Sequence, residues 1–197
     1  MNTKLKIIAE LENEPNGIHL RKISRLVNSG LPNVKRFLEI LEKEKVVSKE
    51  KEANLIKFAL KEGQRTLSYL KQVNTDKFFG LPVKVQNSIS DFLDEIEDKP
   101  LIALIFGSYA KKNYTKESDI DILLVFQKIE NQQKIENTAK RISMRTNTKI
   151  NPVYIEYKNF KDNFLNKEHN FSKEIRNKVI VLLGIENYYQ LLWRFLK

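Results

Sequence analysis

Residues 101–126 read LIALIFGSYAKKNYTKESDIDILLVF, and this stretch predicts the architecture of the second part of the chain. Its first six residues are apolar without interruption, which is the pattern of a strand buried on both faces. Gly107 and Ser108 follow directly, and either a helix or a loop begins there. Asp119 and Asp121 open a second apolar run. Because side chains alternate along a strand, both carboxylates are predicted on the same side of it.

This carboxylate pair predicts a divalent-cation site. The chain has no cysteine and only two histidines, so a bound metal must use mainly oxygen ligands. Mg²⁺ prefers one or two carboxylates together with phosphate oxygens and water. We therefore expect Mg²⁺ on Asp119 and Asp121, with two ions possible and Mn²⁺ as a substitute. These two residues are also the predicted catalytic residues.

The residues around the carboxylates predict a triphosphate site. A glycine lets backbone N–H groups approach a phosphate closely, and a serine hydroxyl adds a donor. Gly107 and Ser108 are predicted to serve in this way. Lys111 and Lys112 are predicted to meet the remaining phosphate charge as flexible cations. Ser118, next to the first aspartate, is assigned to nucleotide binding as well.

The segment GSYAKKNYTKESDIDILLVF resembles the signature of minimal nucleotidyltransferases in the DNA polymerase beta superfamily. The resemblance covers roughly residues 80–165. It implies an α+β fold in which a mixed sheet is flanked by helices. It also implies that the Gly-Ser pair binds the triphosphate and that the two aspartates hold the metal. Some minimal members resemble antitoxins that modify a partner toxin, which suggests a protein side chain as the acceptor.

The chain departs from this family where a third carboxylate usually lies on a following strand. That strand corresponds to residues 149–156, KINPVYIE, and by strand phase Asn151 takes the third position. Asn151 is predicted as a metal ligand, but an amide cannot accept a proton at neutral pH. By strand alternation the Glu156 side chain is predicted to point to the opposite face of the sheet. Only a β-bulge near Pro152 would turn it to the face that carries the aspartates. Two lysines also replace the Arg-Gly that often follows G-S-x-A.

The N-terminal part of the chain predicts a different domain. Apolar spacing predicts helices over residues 3–12, 19–28 and from Pro32 to about Lys45. Two apolar runs then flank a charged tip from Lys49 to Asn54, which is typical of a β-hairpin. Three helices and a hairpin resemble a winged helix-turn-helix. The residues predicted to contact DNA are Asn33, Lys35 and Arg36 on the third helix and Lys49 and Lys51 on the wing.

Charge and boundaries complete the domain prediction. We assign residues 1–62 to the winged helix-turn-helix, 63–99 to a linker and packing helix, and 100–197 to the nucleotidyltransferase domain with C-terminal helices. Their net charges are +4, −1 and +7, because basic and acidic residues number 13 and 9, 5 and 6, and 17 and 10. The overall charge of +10 favours polyanionic partners, although a lysine-rich solvated surface gives the same value.

Other segments are assigned more simply. Residues 174–197 show helical spacing broken at Gly184, which predicts core packing or a dimer contact, with a partner-binding face as the alternative. His19 and His169 are given no role. No apolar run approaches the roughly 20 residues of a membrane span, and the N-terminus lacks the pattern of a signal peptide. We therefore expect a cytoplasmic protein without a membrane partner.

Two functions remain open from the sequence. The first is an Mg²⁺-dependent nucleotidyltransferase that moves a nucleoside monophosphate from a nucleoside triphosphate, with ATP the expected donor, to an acceptor hydroxyl. The second is a DNA-binding regulator whose nucleotidyltransferase domain is catalytically degenerate and senses nucleotides. Asn151 is the residue that favours the second function.

Overall fold

The computed structural model describes residues 1–52 and 55–197. The chain folds into two compact units, Met1–Asp76 with Leu196 and Lys77–Phe195 with Lys197. No helix in the described part of the chain has both the length and the hydrophobicity needed to cross a bilayer.

The first unit begins with the predicted helices. They are α1 (Thr3–Glu12), α2 (Leu20–Leu26) and α3 (Leu31–Lys43), and they are followed by α4 (Gln64–Phe79), which continues into the second unit. The spacing of Leu5, Ile8 and Leu11 predicts the inward face of α1; all three are buried, and α3 packs against this helix. Ile23 of α2 and Val27, which directly follows this helix, are buried one turn apart. Apolar spacing also predicts Leu26 inward, but Leu26 is 47% exposed. Ile23 and Val27 are four residues apart and occupy the buried face, so the side chain of Leu26 points to solvent.

The strands of the first unit form an antiparallel sheet with the order β1-β3-β2 in the described residues. The strands are β1 (Ile18–His19), β2 (Val47–Glu52) and β3 (Leu55–Leu60). The hairpin is longer than predicted, because Lys49 and Lys51 pair within β2 instead of lying in the turn. An edge strand tolerates charged side chains that face water. Ala53 and Asn54, the rest of the predicted tip, lie outside the described residues.

A partly buried polar network joins α1, the end of α3 and α4. The Lys4 ammonium donates to Glu44 Oε1 at 2.9 Å, and the Tyr69 hydroxyl donates to Glu44 Oε2 at 2.7 Å. Burial acts to raise the pKa of Glu44, but the hydrogen bonds from Lys4 and Tyr69 outweigh it and lower that pKa. The ionised form of Glu44 is therefore stabilised by folding.

The second unit contains a mixed sheet. In the described residues it has the strand order β6-β5-β4-β7, with β5 and β6 parallel and the other pairs antiparallel. The strands are β4 (Ile102–Ile105), β5 (Ile120–Phe126), β6 (Ile150–Glu156) and β7 (Ile180–Leu183). The helices are α5 (Val83–Glu95), α6 (Gly107–Lys111), α7 (Gln132–Thr146), α8 (Tyr157–Leu165), α9 (Asn170–Ile175) and α10 (Ile185–Leu196). This mixed α+β arrangement agrees with the predicted fold class.

Helices α5 and α7 cover one face of this sheet. Val85, Ile89 and Phe92 of α5 lie in one core with Ile120 and Ile122 of β5. The segment 63–99, which was expected to be a linker and a packing helix, therefore contains two helices. The second of them belongs to the core of the second unit, so that unit begins at Lys77 and not at residue 100. The apolar stripe of α5 explains the difference, because it must be buried against the sheet.

The C-terminal stretch also differs from its prediction. Residues 180–183 were expected to be helical, but they form β7 and pair antiparallel with β4. Gly184 follows with a φ of +67°, and a Cβ atom there would lie 1.9 Å from the carbonyl oxygen of Leu101. The strand thus ends where only glycine fits, and α10 begins at the next residue.

Candidate nucleotidyltransferase site

The two aspartates lie at the edge of the sheet where β4 ends and β5 and β6 begin. Asp121 is the second residue of β5, and Asp119 comes immediately before that strand. Their neighbours Ile120 and Ile122 are fully buried beneath α5 and α7. Since side chains alternate along a strand, both carboxylates face away from that core. Asn151 pairs directly with Asp121 and shares its face.

Each carboxylate is matched with a donor from β6 or the residue before it. Lys149 Nζ lies 2.5 Å from Asp119 Oδ2, and Asn151 Nδ2 donates to Asp121 Oδ1 at 3.0 Å. The backbone fixes this register, because Ile120 N donates to the Lys149 carbonyl at 2.8 Å. The four facing side chains therefore carry one net negative charge, from two carboxylates, one ammonium and a neutral amide.

Gly107 brings the backbone against the second carboxylate. Its φ is +68°, and a Cβ atom built on it would lie 2.3 Å from Asp121 Oδ2 and 3.2 Å from Asp121 Cγ. The preceding residue is fixed to the same strand, because Phe106 N donates to the Asp121 carbonyl at 3.1 Å. Both the backbone conformation and the available space therefore require glycine at this position.

The other predicted phosphate-binding residues follow in α6. Ser108 is partly buried, and its hydroxyl makes no hydrogen bond to another residue in the described part of the chain. Lys111 Nζ forms an ion pair with Glu174 Oε1 of α9 at 2.6 Å. Lys112 ends the helix in the left-handed conformation, with a φ of 59°, and its side chain is exposed. Lys111 must therefore leave Glu174 before it can meet a phosphate.

Ser118 lies in a turn that holds the start of β5. Its hydroxyl accepts from Thr115 N at 2.9 Å, and its carbonyl accepts from the Tyr109 hydroxyl at 3.3 Å. The Tyr109 ring stacks on Tyr114 with a centroid distance of 4.5 Å. Burial, with the nearby Tyr114 and Asp119, raises the pKa of Tyr109 and keeps it a neutral donor. The hydrogen bonds of Ser118 thus stabilise the turn that positions Asp119.

The structure places no third carboxylate beside the pair in the described part of the chain. The register between β5 and β6 runs unbroken from Ile120 and Ile150 to Phe126 and Glu156, without a bulge at Pro152. Glu156 instead accepts from Ile129 N at 3.3 Å, at the far end of the sheet. Among the described residues, no group of three acidic or histidine side chains is arranged to hold a metal.

The donor set still suits a hard divalent cation that shares its ligands with a substrate. Asp119 and Asp121 supply carboxylate oxygens, and the Asn151 amide, whose nitrogen faces Asp121, supplies one further oxygen. Mg²⁺ sites commonly consist of one or two carboxylates completed by phosphate oxygens and water. These side chains therefore fit a cation bound together with a nucleotide better than one held by the protein alone.

Three contacts in this region were not predicted from the sequence. Lys149 lies two residues before Asn151, so strand phase alone could have placed it on the same face. The approach of α9 had no such signal, because Glu174 reaches Lys111, and Phe171 packs edge-to-face on Phe106, across many intervening residues. Only the folded chain brings these residues together.

The residues predicted to bind DNA lie in the first unit. On α3, Asn33 Nδ2 donates to Ser29 Oγ at 2.9 Å, and the Arg36 guanidinium donates to Asn33 Oδ1 at 3.1 Å. Lys35 is exposed and lies 4.0 Å from Glu39, and Lys49 pairs with Glu42 at 3.0 Å. Lys51 is exposed on β2. Several of these groups would therefore have to exchange a protein partner for DNA.

The histidines have structural positions. His169 caps α9, since its Nδ1 accepts from Ser172 N at 3.2 Å. His19 Nδ1 lies 3.3 Å from the Ile56 carbonyl. Neither histidine is near the aspartate pair in sequence or on its strands.

The chain is similar to known proteins over part of its length. The sequence profile of the family described as "Polymerase beta, Nucleotidyltransferase" matches residues 87–181. A protein of Methanocaldococcus jannaschii named as a protein adenylyltransferase is 32% identical over 83 residues, which are 41% of this chain and 83% of that protein. A crystal structure of a toxin–antitoxin with AMP-PNP aligns over 56% of this chain and 82% of that chain, with 14% identity and a TM-score of 0.42.

Proposed function

Since the chain belongs to the polymerase beta nucleotidyltransferase family and is a nucleotidyltransferase, we propose that it transfers the nucleoside monophosphate of a nucleoside triphosphate to an acceptor hydroxyl. We propose ATP as the donor, a divalent cation such as Mg²⁺ as the cofactor, and a partner protein as the carrier of the hydroxyl. In this reaction the acceptor oxygen attacks the α-phosphorus. The bond from the α-phosphorus to the bridging oxygen breaks, and pyrophosphate leaves.

The observation that carries this proposal is the contact between Gly107 and Asp121. The backbone approaches the carboxylate so closely that a Cβ atom would lie 2.3 Å from Oδ2. A nucleotide that binds the amides near Gly107 and Ser108 would therefore have its phosphates beside a carboxylate. Such an arrangement is unfavourable unless a cation lies between the two negative groups.

The side chains have distinct proposed roles. Asp119, Asp121 and the amide oxygen of Asn151 would hold the cation, which when bound neutralises the phosphates and makes the phosphorus more electrophilic. The Ser108 hydroxyl, which has no partner among the described residues, would donate to a phosphate oxygen. Lys112, exposed at the end of α6, would approach the outer phosphates. Asn151 cannot accept the proton of the acceptor hydroxyl, so we expect that proton to leave through water at this exposed edge.

The proposal of a protein acceptor is supported by the relative in Methanocaldococcus jannaschii, which is named as a putative protein adenylyltransferase. A protein hydroxyl would come from a serine, threonine or tyrosine side chain. The chemistry at the phosphorus is the same for each of them. The open edge at Asp119, which is 37% exposed, supports access by a large acceptor.

Calorimetric titration of nucleotide tests the site without a known acceptor. We expect MgATP to bind wild-type protein, and binding to be lost without the cation and in Asp121→Asn. Asp94→Asn is the matched control, because it makes the same substitution at an exposed residue of α5, on the opposite face of the sheet. Equal binding by wild type and Asp121→Asn would contradict the proposed site. Titration with the other three triphosphates would show whether ATP is preferred.

A second candidate function is supported by Asn151 and Lys149. Asn151 stands where catalytic members of the family usually have a third carboxylate, and the Lys149 ammonium lies beside Asp119. A site with fewer negative charges suits a domain that binds nucleotide as a sensor without turnover. The first unit would then be a winged helix-turn-helix that binds DNA. It carries the exposed residues Lys35 and Arg36 on α3, and a β-hairpin follows this helix in the chain.

Pyrophosphate release and DNA binding separate the two functions. A regulator should bind duplex DNA with an affinity that depends on MgATP and should release no pyrophosphate. Lys35→Ala/Arg36→Ala should weaken that binding and reduce its salt dependence by about two counterions. Lys140→Ala/Arg141→Ala is the control, because it removes two positive charges from α7, outside the proposed DNA-binding helix, and should leave DNA binding unchanged. Pyrophosphate release that requires Asp121, without any DNA binding, would contradict the regulator.

A further inference from the structure

Lys149 lies beside the aspartate pair, but the proposed reaction does not use it. Its ammonium lies 2.5 Å from Asp119 Oδ2, and its side chain is 69% exposed, so it is placed at the mouth of the site and not in the core. The neighbouring Asn151 donates to Asp121. One carboxylate is thus already matched by a cation, and the other only by a neutral amide.

The backbone holds this pairing in place. Ile120 N donates to the Lys149 carbonyl at 2.8 Å, and the ladder continues through the pair Asp121 and Asn151. Lys149 therefore cannot move away along the strand when a ligand arrives. Its ammonium stays within reach of Asp119 through the flexible side chain alone.

A divalent cation on Asp119 would have to share the carboxylate with this ammonium. Two cations close to one carboxylate repel each other, and the repulsion grows where bound nucleotide and protein replace water. A pair of catalytic metal ions normally lies about 3.5–4 Å apart and shares carboxylate ligands. Here one shared ligand is occupied by a positive charge, and the third position holds an uncharged amide.

We propose that Lys149 takes the place of the second cation, so that the site binds a single divalent ion per nucleotide. This inference rests on the proposed function and specifies its metal content. The ammonium would supply the other positive charge beside the phosphates. Asp121 is the main carboxylate ligand of that ion, because its partner Asn151 is neutral and offers an amide oxygen. Asp119 would contribute the oxygen that does not face Lys149.

Electron paramagnetic resonance of Mn²⁺ tests this proposal by counting ions. Full-length protein is titrated with Mn²⁺ in the presence of a saturating, non-hydrolysable ATP analogue, and the ions bound per protein are obtained from the loss of the free-ion signal, corrected for nucleotide alone. We expect one ion for wild type and for Lys149→Arg, which keeps the charge. Lys149→Met, which removes it, should bind two.

Lys140→Met is the matched control, since this exposed lysine lies on α7 on the other side of the sheet. It should bind one ion, as wild type does. Two ions in the wild type, or one ion in Lys149→Met, would overturn the role of Lys149 while the proposed function stands. If wild-type protein binds no nucleotide-dependent Mn²⁺, the proposed function itself is overturned. Lys149 is exposed, so its variants should fold, and circular dichroism verifies this.

Discussion

Replacing Gly107 with alanine is the most direct perturbation of the site, because the structure gives both the conformation and the contact that alanine would disturb. The φ of Gly107 is +68°, and the added Cβ would lie 2.3 Å from Asp121 Oδ2. Rotating the carboxylate does not remove the clash completely, because Asp121 Cγ is also only 3.2 Å away. The carboxyl group of Asp121 must therefore shift.

The cost can be worked from these distances. A non-glycine residue in the left-handed region costs about 1–2 kcal/mol. An ordinary contact begins at 3.4 Å and the added Cβ would lie 2.3 Å from Oδ2, so the carboxylate must shift by about 1 Å. That shift would break the hydrogen bond from Asn151. A net loss of about 1 kcal/mol for that bond is typical. We expect the free energy of unfolding to fall by about 2–3 kcal/mol and nucleotide affinity to fall about 100-fold, since a 1 Å misplacement has effects of that size.

Urea unfolding and calorimetric titration of MgATP measure the two effects. Gly30→Ala is the control, because the Gly30 φ is negative and the nearest atom to its added Cβ is Pro32 Cδ at 3.9 Å. That variant should lose less than about 1 kcal/mol and should bind nucleotide normally. A Gly107→Ala protein that is as stable as wild type and binds MgATP equally well would show that the close approach of Gly107 to Asp121 has no consequence for the site.

Three further predictions concern folding. Gly184→Ala should lower stability by more than about 3 kcal/mol in urea unfolding, since its Cβ would meet the Leu101 carbonyl, a backbone atom that cannot give way; a loss below about 1 kcal/mol would contradict this. Tyr154→Phe should cost about 1 kcal/mol, because the Tyr154 hydroxyl donates to Glu136 Oε1 at 2.8 Å, and an unchanged urea midpoint would exclude that contribution. The lowered pKa of Glu44 means that its contribution is complete above its usual value of 4.5 and is lost as pH falls through the folded-state value. The stability difference between wild type and Glu44→Gln should therefore shrink below about pH 4.5 in thermal unfolding, and a difference that grew on acidification would reverse the sign of the shift.

Features of the fold and of the site could be predicted from the sequence where they depend on residues that are close together in the chain. The apolar run that contains β4, the alternation of Asp119 and Asp121, and the glycine between the strands each depend on near neighbours in the chain. Strand phase also placed Asn151 opposite the carboxylates, and its pairing with Asp121 agrees with that prediction. The residue-by-residue roles at this site remain proposals.

Other features depend on contacts between distant segments. Residues 180–183 are compatible with a buried helix or a buried strand, and only the free edge of β4 selects the strand. The ion pair between Lys111 and Glu174 likewise requires α9 to fold back on α6. The core position of α5 was missed because its apolar stripe predicts a buried face but does not say which core it joins.

The late position of β7 in the chain has a consequence for synthesis. β4 lies between β5 and β7, and all four of its residues are fully buried. Until residues 180–183 leave the ribosome, one edge of this apolar strand has no partner, although the remainder of the sheet can already form. An unpaired apolar edge readily pairs with another chain. Nascent chains that stall or end before residue 180 should therefore depend on chaperones and aggregate through β4.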